Sequence, residues 1–411
     1  MGTEVALSEL LEVLIDHRGR TPRKLGSNFV SKGVQVISAQ NIVTGRLDLG
    51  ATSRFVTSEV ADRWMPRPLR PGDVLLSSEA PMGRVARVPH EAPRLCVGQR
   101  LFALRPKASV ADSRYFAAAL RSSWVQAQLA GRLSGTTAQG IRQSELRQVW
   151  VRLPCLAEQR AIADVLDALD DKIESNERLV ARLTEVARLV YERAVIGAPL
   201  GTLGDLGTVV GGGTPRSAVP EFWSPEEVPW ITPSDMTALS GRPVIWSGDR
   251  AISQPGLAGS SARLLPSGTV VFTSRATIGL VAIARQELAT NQGFISVVPR
   301  PPISSEFVYS SLVARTEAIR AKANGSTFLE VNKTNFKAVE CPLPADDRLA
   351  EHDVVASPNI ALAASLVLES RRLAAIRDAL LPRLVSGRIR VPLTNDLDEA
   401  VETVEAVLDA A

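Results

Sequence analysis

The chain is written twice. Gly19-Arg-Thr-Pro-Arg23 returns as Gly212-Gly-Thr-Pro-Arg216, a shift of 193 residues. The stretch bounded by Gly72 and Gly83 returns between Gly268 and Gly279, a shift of 196. Gly135-Thr-Thr137 returns as Gly325-Ser-Thr327 and Leu153-Pro154 as Leu343-Pro344, both shifted by 190. So small a drift marks a duplicated domain with short loop insertions and deletions. Two similar but unequal units on one frame can hold two different things at a fixed distance.

The 411 residues suit two large units plus connectors. Each unit is long enough to bury a core of its own. No apolar run approaches the roughly 18 residues that a membrane span needs. The first residues lack the basic-then-apolar pattern of a secretion signal, which leads us to expect a cytoplasmic protein. The three cysteines, Cys96, Cys155 and Cys341, are scattered and read as buried thiols in a reducing compartment.

Charge is unevenly placed. Residues 1–153 carry a net charge of +10, 154–198 carry −3, 199–344 carry +1 and 345–411 carry −5. A basic module suits a polyanion or an acidic partner.

Both repeats mix short strand-like runs with turn signals. In the first, strands are predicted at Val34–Ser38, Asp73–Ser77, Val85–Val88, Leu101–Leu104 and Val149–Val151. A helix is predicted over Ser113–Leu129, and another at Gln143–Arg147. In the second, strands are predicted at Val228–Ile231, Thr269–Thr273, Leu280–Ile283 and Phe294–Val298, with a helix over Ser305–Ala323. Between the repeats, Leu156–Ala194 changes character. Ile162, Val165/Leu166, Leu169, Ile173, Leu179/Val180, Leu183, Val186 and Val190 recur at a period near 3.5, a coiled-coil seam. Asn176 falls on that seam, where a polar residue sets helix register. A helix of this length makes a rod of roughly 55 Å. The second connector, 345–390, repeats the pattern in its latter half. Pro358 predicts a helix start near Asn359 or a kink there, and Pro382 a disturbed last turn. The tail, 391–411, is acidic and helix-prone.

The phrase Leu153-Pro-Cys-Leu-Ala-Glu-Gln-Arg160, running on to Leu169-Asp-Asp-Lys-Ile173, resembles the junction of the specificity subunit of type I restriction–modification systems. Gly211–Arg216 followed by Val228–Asp235, Phe272–Gly279 and Thr290-Asn-Gln-Gly293 resemble the same family. The likeness extends over about residues 1–390. It implies two α/β (α+β) target recognition domains, 1–153 and 199–344, joined by long antiparallel coiled-coil helices in a pseudo-two-fold arrangement. It further implies double-stranded DNA as ligand, two methyltransferase subunits and one restriction motor-nuclease subunit as partners, and no catalysis in this chain. S-adenosylmethionine, ATP and magnesium would then belong to the partners. The second connector has Arg348-Leu-Ala-Glu-His352 where the first has the Glu-Gln-Arg phrase, a departure that bears on partner contact.

A DNA-reading surface needs loop side chains with paired donors and acceptors, plus Arg, Lys, Ser and Thr for phosphates. One loop offers Arg18, Arg20, Thr21, Arg23 and Lys24; its repeat offers Thr214, Arg216 and Ser217. The competing reading is a solvated basic turn. Gln40 and Asn41 follow a strand, as do Ser234 and Asp235; these suit base edges, or they cap turns. Ser78, and Ser274 with Arg275, stand at matching positions that differ in charge, since Arg275 takes the place of Glu79. Arg84, Arg100, Asn291 and Gln292 complete the set. Thr136, Thr137 and Gln139, like Ser326 and Thr327, suit a phosphate cradle or a plain turn.

Catalytic readings fare poorly. His17, His90 and His352 have no metal-ligand spacing. There is no Gly-x-x-x-x-Gly-Lys-Ser/Thr loop, and Arg216 stands where a dinucleotide fingerprint needs its third glycine. Two other classes stay open: a fused methylating or cleaving enzyme with an unrecognised site, and a duplicated adaptor that binds only proteins.

Overall fold

A computed structural model describes residues 2–17, 20–43, 45–134, 139–325 and 329–392, without the side chains of 224–226. The chain divides into two compact units, Met1–Lys172 with the chain from Arg372 onward, and Ile173–Arg371. The division cuts through both long helices rather than at their ends. The reason is core membership. Ile162, Leu166, Leu380 and Leu384 pack with Tyr115 and Phe116. Val180, Leu183, Tyr191 and Ile360 pack with Phe272 and Phe307. Each unit therefore contains its own piece of each helix.

Both units use the same sheets. In the first, four antiparallel strands run in the order Leu11–Asp16, Leu101–Pro106, Val74–Ser77, Val85–Arg87. In the second, the order is Gly207–Gly211, Phe294–Pro299, Val270–Thr273, Val281–Ala284, with Val244–Ile245 added in parallel at the edge. Register matches: Leu104 faces Val74, and Val297 faces Val270. The strands Val74–Ser77 and Val270–Thr273 are buried on both faces, which is why they read as unbroken apolar runs. A smaller sheet accompanies each. Val34–Ile37 lies between antiparallel Phe55–Val56 and parallel Leu95–Val97. Trp223–Ile231 lies between antiparallel Arg250–Ile252 and parallel Ala289–Thr290.

The helix expected over Ser113–Leu129 is two helices, Ser113–Arg121 and Ser123–Ala130. Ser122 separates them with extended backbone. Its hydroxyl donates to the Ala119 carbonyl and accepts from the Val125 amide, ending one helix while capping the next. The apolar spacing survives the break, so periodicity alone does not reveal it. The counterpart divides likewise, into Ser305–Ala314 and Thr316–Arg320.

The first long helix runs Leu156–Ala194 and the second Asp346–Val385. The seam holds at Ile162, Leu166, Ile173, Asn176, Val180 and Leu183, all buried. Beyond Leu183 it passes to Ala187, Tyr191 and Ala194, whereas Val186 and Leu179 are exposed. Tyr191 turns toward its domain, its ring 5.3 Å from Phe307. In the second unit the helix pieces are antiparallel: Asn176 meets Ser370, and Arg348 donates to the Ile196 carbonyl. Asn176 Nδ2 donates to Glu369 Oε2 at 2.8 Å and to Ser370 Oγ at 3.3 Å. It thus occupies the seam as a buried, satisfied amide.

Contrary to expectation, the second helix does not start at Asn359 but runs through Pro358. Proline at 358 lacks the N–H for the carbonyl of Val354, and both residues are on the exposed side of the helix, where the lost bond costs least. Asn359 adds a side-chain bond to the Val355 carbonyl at 2.7 Å. Pro382 is exposed in the same way and the helix continues to Val385. Cys96 and Cys341 are buried as expected, but Cys155 is exposed at the entry to the first long helix. No helix among the described residues is long and apolar enough to cross a membrane.

Candidate nucleic-acid interface

Parallel pairing decides where the candidate loops meet. Ile37 pairs with Val97 and Ile231 with Thr290, so in each unit two strands end at one sheet edge. The segments leaving those ends emerge together, as ligand-binding loops do at carboxyl ends of parallel strands. In the first unit they are Ser38–Gln40 and Gly98–Arg100. In the second they are Thr232–Asp235 and Asn291–Gln292.

At this edge the first unit has a cleft of about 450 Å³. Arg20, Thr21, Gln40 and Arg100, scattered over eighty positions of sequence, all line it. Phe29, Arg54, Trp64 and Gln99 line it too, and the sequence reading missed them. Gln99 Nε2 donates to the Arg20 carbonyl at 2.8 Å. Arg20 Nη1 donates to the Trp64 carbonyl at 2.9 Å, and Trp64 Nε1 to the Val97 carbonyl at 3.0 Å. The basic loop is thereby fixed to the strand ends. Arg23 and Lys24 stand exposed beside it on a short turn that closes at Gly26, φ 71°.

The second unit repeats the clasp with other atoms. Gln292, the counterpart of Gln99, accepts from the Thr214 hydroxyl. Trp230 Nε1 donates to the Gly213 carbonyl at 3.0 Å. A Cβ on Gly212 would lie 1.8 Å from the Asn291 carbonyl oxygen, so the loop packs backbone to backbone and only glycine fits. Thr214, Arg216 and Ser217 are exposed.

Several candidates are spent on holding these loops. Asn41 is wholly buried. Its Oδ1 accepts from the Ser38 amide and the Thr52 hydroxyl, and its Nδ2 donates to the Asp48 carbonyl. Asp235 does the matching work, accepting from the Thr232 amide and hydroxyl and from the Asp249 amide. Capping is therefore their role, and Gln40 and Ser234, exposed beside them, are the side chains presented outward. Ser78 and Ser274 are buried and offer nothing to solvent. Asn291 Oδ1 accepts from the Gly293 amide, a turn contact. Arg84 lies in another recess, with Gly83, Arg121 and Arg377, and its Nη1 donates to the Ile42 carbonyl.

The charge reversal between the units is visible in the ion pairs. Glu79 pairs with Arg100 at 3.0 Å, while Arg275, standing where Glu79 does, pairs with Glu330 at 2.7 Å. Gln139 is exposed next to Gly140, which pairs with Glu79. Arg18, Thr136, Thr137, Ser326 and Thr327 lie outside the described residues.

Gln159, in the phrase that opens the first long helix, is also structural. It is buried, donates to the carbonyls of Val110 and Pro154, and accepts from the Asp112 amide. The second helix has Leu349 there, buried without such bonds.

His17 is buried, with Nε2 2.9 Å from Met65 Sδ. Burial, with the Arg20 cation adding to it, lowers its pKa to about 4. The ring is neutral at pH 7.

A family model described as type I restriction modification DNA specificity domain matches residues 3–185 and 200–349. The MjaIX type I restriction enzyme specificity subunit of Methanocaldococcus jannaschii is 39% identical over 145 residues, 35% of this chain and 33% of that protein. The HindI specificity subunit of Haemophilus influenzae is 31% identical over 198 residues, 47% of this chain and 42% of its own. The matched region thus spans well under half of these relatives. Among solved structures, a type I restriction–modification system S subunit from M. genitalium superposes with a TM-score of 0.57 over 93% of this chain and 96% of that one. At 16% identity, that likeness is one of fold.

Proposed function

The chain belongs to the type I restriction modification DNA specificity domain family, and from that premise we propose that it reads an asymmetric, two-part DNA site without catalysing a reaction. One observation carries this reading. The same strand-end edge is built twice, and the side chains it presents differ: Gln40 against Ser234, Arg100 against Gly293, Glu79 against Arg275. A retained frame with unlike loops suits two readers of different half-sites. Exposed Arg, Gln, Ser and Thr are the side chains that reach base edges and phosphates.

In this reading the chain works in the cytoplasm with two methyltransferase subunits and a restriction motor-nuclease. Those partners bring S-adenosylmethionine, ATP and magnesium, and the two long helices set the unread gap. Deleting one heptad from both helices removes about 10 Å of helix, close to three base pairs at 3.4 Å each. The recognised gap is expected to shorten by about that much, and an unchanged gap overturns the ruler. Methyl transfer by the purified chain alone, given S-adenosylmethionine and DNA, would overturn the non-catalytic assignment.

A further inference from the structure

In each unit an arginine at the start of the outer strand of the smaller sheet lies against an aromatic ring. Arg250 has its guanidinium carbon 3.6 Å from the centre of the Trp223 ring and 5.4 Å from that of Trp230. Arg54 lies over Phe29 at 5.7 Å. The two arginines are structural counterparts. Arg250 faces Trp230 in register, and the Arg54 carbonyl accepts from the amide of Val36, which occupies Trp230's place in the first unit. Nothing in the repeated motifs marks either of them.

At 3.6 Å the guanidinium must lie flat on the indole, since on edge its nitrogens would enter the ring. The second tryptophan, edge-on to the first at 85°, closes one side. Both rings hold the candidate DNA loop as well. Trp223 Nε1 donates to the Arg216 carbonyl and Trp230 Nε1 to the Gly213 carbonyl. Arg250 is therefore positioned by the same two side chains that position Gly213–Arg216. In the first unit, Phe29 and Arg54 line the cleft beside Arg20, Gln40 and Arg100.

A plain latch would spend the cation. Several arginines of the second unit spend theirs on carboxylates: Arg242 on Glu177, Arg275 on Glu330, Arg285 on Glu306, Arg320 on Glu317. Among the described residues no carboxylate pairs with Arg250 and no acceptor takes its N–H donors, although it is exposed. Glu227, on the strand that pairs with Arg250's own, accepts from the Gln254 amide instead. An arginine held flat, with its donor fork unspent, is preorganised for the O6 and N7 acceptors of guanine.

We propose that Arg250, stacked on Trp223, is a specificity-determining residue of the second recognition domain and reads one guanine of its half-site, with Arg54 on Phe29 as the counterpart in the first. The proposal rests on the DNA-reading function above. The test uses the full chain assembled with its modification subunits and a library of randomised duplexes, with the methylated sequences read out. Arg250→Gln is expected to abolish the preference for guanine at one position of one half-site, a preference of about 5- to 150-fold. The other half-site and the gap should keep their form. Arg250→Lys retains the charge but not the fork, and is expected to relax the same position. Arg54→Gln should relax one position in the other half-site. Thermal unfolding of each variant, unchanged from wild type, separates these losses from misfolding. Uniform weakening across all sequences would make Arg250 a phosphate contact, and an unchanged motif would make it a latch; either overturns the proposal. If the wild-type complex itself shows no sequence preference, the DNA-reading function fails instead.

Discussion

The two recognition domains agree where they are apolar and differ where they are polar. At the start of the strand Val74–Ser77 the first pairs a buried carboxylate with a half-buried cation: Arg105 Nε lies 2.7 Å from Asp73 Oδ1, and Asp73 also accepts from the Arg70 amide. At the same places the second has Val298 and Thr269, the latter bonded to the Pro266 carbonyl. His17 follows directly on the strand Leu11–Asp16, and at the matching place, after the strand Gly207–Gly211, the second has Gly212. Both members of the ion pair change together, which leaves no buried charge without its partner. The frame survived duplication because its apolar register did not need those pairs.

Breaking the ion pair is expected to have the largest effect. Arg105→Met strands the buried Asp73 and should cost about 3–5 kcal/mol in chemical denaturation. Installing the second domain's solution, Asp73→Thr with Arg105→Val, should bring stability back close to wild type or above it. If the double variant is as poor as the single, the two domains are not interchangeable at this site.

The histidine difference predicts a pH dependence in the first domain alone. The folded pKa of His17, about 4, lies below its ordinary value of 6.5, so the unfolded chain takes up the proton first. Its contribution is intact above pH 6.5 and is lost as pH falls toward 4, a loss on the order of 3 kcal/mol. His17→Val should flatten that part of the stability–pH curve, measured by denaturation across the range. An equally steep curve in the variant would assign the acid sensitivity to other groups.

The tryptophans predict a smaller contrast. Trp230→Phe leaves the Gly213 carbonyl without its donor, at about 1–3 kcal/mol, and should speed amide exchange in the Gly212–Arg216 loop. Trp64→Phe frees the Val97 carbonyl instead, so its exchange change should fall on the strand end. The smallest effect concerns phosphates. Arg23→Gln with Lys24→Gln should lower the salt slope of DNA binding by about 2, and Arg216→Gln by about 1.

Much of this was legible in residue order. Repeated glycines and Leu-Pro entries marked the two domains, and the 3.5-residue period marked the first long helix, with Asn176 on its seam. What hid from the sequence was polar satisfaction. Asn41 and Asp235 have the chemistry of base readers, yet their side chains are spent on backbone amides that cap their own turns. Ser122 breaks a helix without disturbing its apolar spacing, and Pro358 fails to break one because it and Val354, whose carbonyl loses a donor, lie on the exposed side. Arg54 and Arg250 carry no signal in residue order, because a cation on an aromatic ring requires strands distant in sequence to pair.

The central claim is that one frame carries two different readers. Its most direct test is to sequence the modified adenines in cells that carry the chain and its partners, and in cells from which this chain alone is removed. The account predicts a single motif that vanishes with the chain, made of two unlike half-sites separated by a gap of fixed length. Two identical inverted half-sites, a continuous motif, or a motif that persists without the chain would contradict it.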